Sequence, residues 1–542
     1  MAPLAALVDA LRRPRVAALA AGAGTILVVL VTIVALRACG GADEAPPAGG
    51  AARLVPGDAL LYVNLSTDRD RAATRRAFEL LQRFPSLPRV RDDLFRRLET
   101  VRPGLSFRRD VQPWLGDEAA LALLNTTGPA AGSLLVLDVA NRRRAQSFLD
   151  RTAGAGAPSR YSGTRIAKFG DVATAFVGRY LVIGQEPGVR AAIDGAAGRG
   201  ATLARNAAFK RATAGQPADR AASVYASPDG VARLLAPQGG ALGAAGALLD
   251  QPGLAGTSMS LSARADGARI SVHSVLERAR GRGRPARARQ FDPALVEEVP
   301  AGAMAYIGLT GLDRAASRLL AAGLAGGGTG QRLTALLTRA RRDLSRRTGV
   351  DVRRDVLPLF QGEVALWLGA ATPSPILTLI SRTRDERATR EAFAQLQAPL
   401  ARLFAPPDSG PGQAPVFEER NVNGATAFAL RLAPGVELDY AVFDGKLVIS
   451  TALNGIRRVR AAKGSIEDED SFRVTLGDRP EKVTSLTFLD FSQLLRLAEH
   501  TGLTESQAYL RIREDLRQIK ALGAAASGGE TDSTTELFLQ IT

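Results

Sequence analysis

Apolar and polar residues alternate with a period of two in short runs along most of the chain, and helix-length segments with a period near 3.6 separate those runs. ALLYVNL (59–65) reads as a strand, and Arg71 to Phe84 as an amphipathic helix with Ala72, Phe78 and Leu81 facing in and Phe84 at its end. EAALALLN and SLLVLDVA read as neighbouring strands, Arg142 to Thr152 as a helix, and TRIAKF and VATAFVGRYLVIG as further strands. Short helices are expected at Val189 to Ala197 and Ala207 to Ala214, then a hairpin turning at Asp266-Gly267. One segment keeps neither rhythm. Val16 to Leu36 (VAALAAGAGTILVVLVTIVAL) is apolar throughout and uncharged, and as a helix it would span ~30 Å, the depth of a bilayer core.

The pattern repeats itself. LVPGDALLYVNLS (from Leu54) returns as EVPAGAMAYIGLT (from Glu298), pairing Pro56 with Pro300, Tyr62 with Tyr306 and Leu65 with Leu309. LSFRRDVQPWLGDEAALAL returns as VDVRRDVLPLFQGEVALWL, and AFVGRYLVIG as AVFDGKLVIS, where Asp444-Gly445 is a strong hairpin signal. Tyr225 stands where Phe488 stands. Order is kept over the rest, which argues for two copies of one unit. Many hairpins and few βαβ crossovers make each unit α+β, an antiparallel sheet with helices on a face. The expected layout is a cytoplasmic tail (1–15), a transmembrane helix (16–36), a Pro/Gly-rich tether (37–52), a first extracytoplasmic repeat (53–277), an Arg-rich linker (278–290) and a second repeat (291–542).

Charge orients this layout. Arg12, Arg13 and Arg15 precede the apolar run, while beyond Arg37 come Asp43 and Glu44, so the N-terminus is expected in the cytoplasm and the bulk outside it. Leu36-Arg37-Ala38-Cys39-Gly40 resembles a lipoprotein processing box, with Arg37 out of pattern, so Cys39 is a lipidation candidate and a lipid anchor the alternative to a helix. Cys39 is the single cysteine, which excludes an intrachain disulfide and a Cys-based metal site.

The N-terminal membrane helix, the opening VPGDALLYVNLS and the segment RRDVQPWLGDEAAL together resemble the bacterial domain-of-unknown-function family 3352. The resemblance implies a membrane-anchored architecture over most of the chain. It implies no activity and assigns no catalytic residue.

Composition changes the picture less. Lys and Arg number 70 against 54 acidic residues, a net charge of +16 that favours polyanionic partners. No zinc-finger spacing, aromatic ribonucleoprotein motif or helix-turn-helix accompanies it, which argues against nucleic acid and for anionic lipid or wall polymer, with the membrane itself the anchor's partner. Protein partners are not indicated. The candidate anion contacts are the repeated pairs Arg108-Arg109 and Arg353-Arg354 and, in the linker, Arg280, Arg282 and Arg284. The plainer reading of Arg-Arg-Asp is a brace, with Asp110 and Asp355 holding a turn ahead of Pro113 and Pro358.

Catalytic chemistry has thin support. His273 and His500 occupy unmatched places in the repeat and read as structural. Glu118 and Glu363 begin matching strands, where a Glu is expected to be solvated; a hydrolase would draw on them as paired carboxylates. Glu467 to Asp470 lacks calcium-loop spacing and reads as a helix start. Gly239–Gly246 and Gly323–Gly330 lack the phosphate-loop ending. The expectation is an envelope protein with a binding or scaffold role and neither catalytic residues, cofactor nor metal, a lipid-like ligand being one refinement. A carboxylate hydrolase or a wall-polymer adhesin is the alternative.

Overall fold

The computed structural model describes residues 46–542 apart from 69, 89–106, 126–131, 154–155, 236–248, 250–252, 278–288, 312–349, 351–355, 361, 372–373, 404–414, 434–435, 462–463, 501–503, 505–506 and 530. The Val16–Leu36 run, Cys39, Arg280, Arg282, Arg284, Arg353, Arg354, Asp355 and both Gly-rich stretches lie outside the described residues.

The first half contributes β1 (Leu61–Ser66), β2 (Leu115–Asn125), β3 (Gly132–Val139), β4 (Ala157–Tyr161), β5 (Thr164–Phe169), β6 (Val172–Val177), β7 (Tyr180–Gly184), β8 (Arg220–Ala226), β9 (Leu254–Arg264) and β10 (Gly267–Leu276). The second contributes β11 (Ala303–Thr310), β12 (Glu363–Gly369), β13 (Ile376–Arg382), β14 (Glu418–Val422), β15 (Ala425–Ala433), β16 (Val436–Phe443), β17 (Lys446–Ser450), β18 (Ser485–Asp490), β19 (Ile519–Gly528) and β20 (Asp532–Ile541). Antiparallel pairing in the first half runs β4-β5-β6-β7-β3-β2-β1-β8-β9-β10. In the second it runs β14-β15-β16-β17-β13-β12-β11-β18-β19-β20, the same order strand for strand. β10 pairs with β20, closing one 20-stranded sheet with β4 and β14 at its edges.

Register carries the correspondence to single residues. Across the sheet Tyr62 faces Tyr225, Tyr225 faces Ser258 and Ser258 faces His273. In the second half the same path reads Tyr306, Phe488, Gly523 and Phe538. At the seam Arg269 faces Phe538 and His273 faces Thr534, on either side of the pair Ser271–Glu536. A half-turn about that pair exchanges the two halves.

Strand alternation gives the sheet two apolar faces, because successive side chains point to opposite sides. One face of the first half carries Tyr62, Ala120, Ala122, Leu134, Val136, Val182 and Tyr225. It is covered by α3 (Glu186–Ala196) and α4 (Ala207–Thr213), with Phe209 of α4 edge-on to Tyr62 and Tyr225 at 5.9 and 5.1 Å. The other carries Leu65, Ala119, Leu137, Leu181 and Ile183 under Ala145 and Leu149 of α2 (Arg142–Ala153), and Ala263 and Ala268 under Leu80 of α1 (Ala72–Gln82). Helices therefore cover both faces, where a single covered face was expected; strands apolar on both sides demand it. The second half repeats this with α5 (Glu386–Leu403) on one face and α6 (Leu453–Arg460) and α7 (Asp470–Leu476) on the other; α8 (Phe491–His500) and α9 (Gln507–Leu516) follow.

Two details differ from expectation. The inward stripe of α1 is Ala73, Ala77 and Leu80, continued by Phe84, which keeps the helical period; Ala72 and Phe78 are half-exposed. Ala51 and Ala52, read as the end of a tether, form a buried 3₁₀ turn, Ala51–Arg53. Beyond the β10–β20 ladder the halves are tied by α1: Arg83 donates to the carbonyls of Ile541 and Ala265, each at 2.9 Å.

Candidate functional site

The two carboxylates singled out in the sequence are buried, not solvated. In β2, Glu118 is in phase with Ala120 and Ala122, so its side chain is drawn beneath the face covered by α3 and α4. It is 0% exposed and accepts from the amides of Gly50 (2.9 Å) and Ala51 (3.1 Å), from Asn64 Nδ2 (2.5 Å) and from the Tyr180 hydroxyl (3.0 Å). The 3₁₀ turn Ala51–Arg53 has no side-chain cap from its own N-cap residue, and Glu118 supplies one from across the sheet. Asn64 Nδ2 also reaches the Tyr62 hydroxyl at 3.1 Å. Burial, then the charge of Glu118, holds the Tyr62 and Tyr180 phenols well above their ordinary range, so both remain protonated donors or acceptors.

Glu363 opens β12 at the matching place: Glu118 faces Ser66, and Glu363 faces Thr310. It too caps a 3₁₀ turn with no side-chain cap of its own, Ala294–Glu298, accepting from the Leu295 amide at 2.8 Å. A weaker pull comes from the Ala294 amide, and the carboxylate's side-chain partner is Arg382, Nε at 3.6 Å. Burial pushes Glu363 up to about 7, against the lowering pull of the Leu295 amide and Arg382. The first half's other donors are replaced. Gly308 stands for Asn64, and the Tyr306 ring fills the space, its hydroxyl 2.2 Å from where a Cβ on Gly308 would lie and without a hydrogen-bond partner. Lys446 stands for Tyr180 and pairs instead with Glu298 at 2.8 Å. Arg382 stands for Asp138, which in the first half is wholly buried and held by the Arg179 guanidinium and the Asp117 amide.

The remaining candidates stay apart. His273 Nδ1 lies 3.1 Å from the Ala212 carbonyl at the end of α4, which also accepts from Ser258 Oγ, and its Nε2 is 3.8 Å from Asp532. His500 Nδ1 lies 2.6 Å from the Arg496 carbonyl within α8. Arg109, in the turn Phe107–Val111, is 71% exposed and 3.4 Å from Asp110, which Arg151 also approaches at 3.9 Å; Asp110's carbonyl accepts from Trp114 Nε1. This is a brace ahead of Pro113. Arg108 shares that turn. Ser465 and Asp468 form a capping box, and Asp470 starts α7, so the acidic run serves two helix starts. Among the described residues no three His, Cys, Asp or Glu gather as metal ligands, and no helix is long and apolar enough to cross a membrane. An open cleft of about 530 Å³ is lined by Gly57, Asp58, Thr202, Arg205 and Asn206.

Sequence reading missed the donors to Glu118, which come from residues far away in the chain. It also missed Asp439, in phase with Ala441 and Phe443 of β16 and wholly buried. The available signal was phase: a charged residue standing in step with the apolar set of its strand.

The fold and site thus define an α+β protein of two similarly paired halves, each locked by a buried glutamate. The chain belongs to DUF3352, a family of proteins of unknown function, whose pattern matches residues 16–541. Among curated proteins none matches. Of solved structures, crystal forms I and III of TP0453 are similar at 10% and 12% identity, covering 42% and 44% of this chain and 79% and 82% of theirs, with TM-scores of 0.25 and 0.23. Likeness that slight carries no argument.

Proposed function

We propose that this chain is a membrane-tethered scaffold of the bacterial cell envelope, non-enzymatic, with an outer part built by duplication of one α+β unit. The observation carrying the scaffold reading is how the polar candidates are spent. Glu118 and Glu363 cap backbone turns, and both histidines bond backbone carbonyls. A hydrolase would find one point in its favour, the raised Glu363, but that carboxylate is engaged with the Leu295 amide beneath the sheet's cover. Recurrent pairing order supports the duplication. The family match takes in the apolar run Val16–Leu36, which supports the tether. The N-terminus is then cytoplasmic and the sheet outside, with the Arg280–Arg284 strip available to anionic lipid or wall polymer.

Cell fractionation with a C-terminal reporter that folds only outside the cytoplasm tests the placement. The reporter should be active and membrane-bound, released by deletion of residues 16–36 and retained in Cys39→Ser. An inactive reporter on a soluble full chain would overturn the tether; release by Cys39→Ser would make the anchor a lipid. For the partner, replacing Arg280, Arg282 and Arg284 by Ser should abolish salt-sensitive binding to anionic vesicles or teichoic-type polymer, and unchanged binding would remove the strip from the account.

A further inference from the structure

The halves differ along one row of the buried face. Read across the strands of the second half, each residue directly opposite the next, the row is Asp439, Ser450, Thr378, Trp367, Tyr306. The same row in the first half is Ala173, Gly184, Leu134, Ala122, Tyr62. The fold itself therefore does not require an acid where Asp439 stands.

Asp439 is 0% exposed, and neither carboxylate oxygen has a hydrogen-bond partner. The neighbouring hydroxyls are already engaged: Thr378 Oγ1 and Ser450 Oγ bond each other at 2.9 Å, beneath Gly455 of α6, where a Cβ would lie 2.0 Å from Ser450 Oγ. Glu437 lies two residues before Asp439 on β16, hence on the same face, and is half-buried. Apart from Arg431, which stands opposite Glu437, the cations on the surrounding elements are engaged elsewhere. On α6, Arg457 bonds Asn454, Arg458 lies over the Trp367 ring at 5.0 Å, and Arg460 pairs with Asp444. On β15, Ala429 faces Asp439 and exposed Arg431 faces Glu437. From β17, Ser450 faces Asp439. On α5, which covers the opposite face, Arg390 pairs with Glu386. A carboxyl as deeply buried as Asp439, without a donor and with a second carboxylate on its face, is disfavoured in the ionised form.

We propose that Asp439 is held protonated beside Glu437, and that loss of its proton loosens the meander β14–β17 from α6, making this row a pH-sensitive latch in the second half. Burial, reinforced by Glu437, pushes the Asp439 carboxyl up to about 8. Because that is above the unfolded value, the latch is fully closed below the ordinary carboxylate range and is lost as pH rises through about 8.

Thermal unfolding of the full chain in detergent, from about pH 5 to about pH 9, beside Asp439→Asn tests this. Glu363 titrates in both proteins and cancels in their difference. The Asn variant should gain several degrees on the wild type as pH rises, and it should lack an infrared band of a protonated carboxylic acid that the wild type shows near neutrality. Amide exchange in residues 418–450, corrected for its intrinsic pH dependence, should accelerate with pH in the wild type alone. If the Asn variant does not fold, Asp439→Ala installs the first half's residue and serves the same comparison. Parallel pH curves, with no acid band that Asp439→Asn removes, would overturn the proposal. So would stabilisation by a divalent ion that Asp439→Asn abolishes, which would make the pair a metal site.

Discussion

Glu118 and Glu363 do the same job at equivalent places, and the two halves maintain it differently. Glu118 is surrounded by donors from two amides, Asn64 and Tyr180. Glu363 keeps the Leu295 amide, a weaker pull from the Ala294 amide and a long contact to Arg382, with no side chain equivalent to Asn64 or Tyr180, and its carboxyl is raised to about 7. The difference shows that a buried carboxylate is defined by its donors. Where the Asn and the Tyr are replaced by Gly308 and Lys446, burial is answered by fewer donors and the carboxyl titrates near neutrality.

The largest expected effect is from Glu118→Ala. It strands two amides and two side-chain groups in a buried site and should destabilise by ~3–5 kcal/mol in urea unfolding. If Glu363→Ala costs as much, the donor count does not separate the halves. Next comes Glu363→Gln, read against pH. Wild-type stability from this group is full below 4.5 and lost as pH rises through about 7, up to ~3 kcal/mol in all; the Gln variant should lack that slope. A slope retained in the variant would assign it elsewhere.

Exchanging the donors sharpens the contrast. Asn64→Gly should cost ~1–2 kcal/mol through the lost bonds to Glu118 and Tyr62. The reciprocal Gly308→Asn should not stabilise, because Tyr306 occupies the space; a cost of ~1–3 kcal/mol is expected from overpacking. Smallest are the matching hairpin turns. Gly178 (φ 59°) opens one, and Asp444-Gly445 (φ 48° and 69°) forms the other; Gly178→Ala and Gly445→Ala should each cost ~1 kcal/mol by thermal unfolding.

Much of this fold is legible in the sequence because its signals are local. Period-two alternation marks the strands, the Asp444-Gly445 turn has the positive φ that its residues predict, and Tyr62 and Tyr306 stand in equivalent registers. What was not legible depends on distance. A Glu at a strand start looks solvated until the amides of Gly50 and Ala51 arrive from far upstream. Ala72 and Ala73 are equal in hydrophobicity, so the inward member of the pair is settled only in the fold, where Ala73 is buried and Leu80 packs with Ala263 and Ile541. Asp439 could have been noticed by phase alone, but its want of partners is a tertiary fact.

The central claim is that two equivalent halves meet at β10 and β20 about the pair Ser271–Glu536. Engineered cross-linking in a Cys39→Ser background tests it most directly. Of Ser271→Cys with Glu536→Cys and Val272→Cys with Thr535→Cys, both directly opposite in the ladder, at least one pair should form a disulfide in the folded chain. Ser271→Cys with Thr535→Cys, one residue out of register and on opposite faces, should remain reduced. Efficient bridging by the out-of-register pair, with neither in-register pair bridging, would contradict the account.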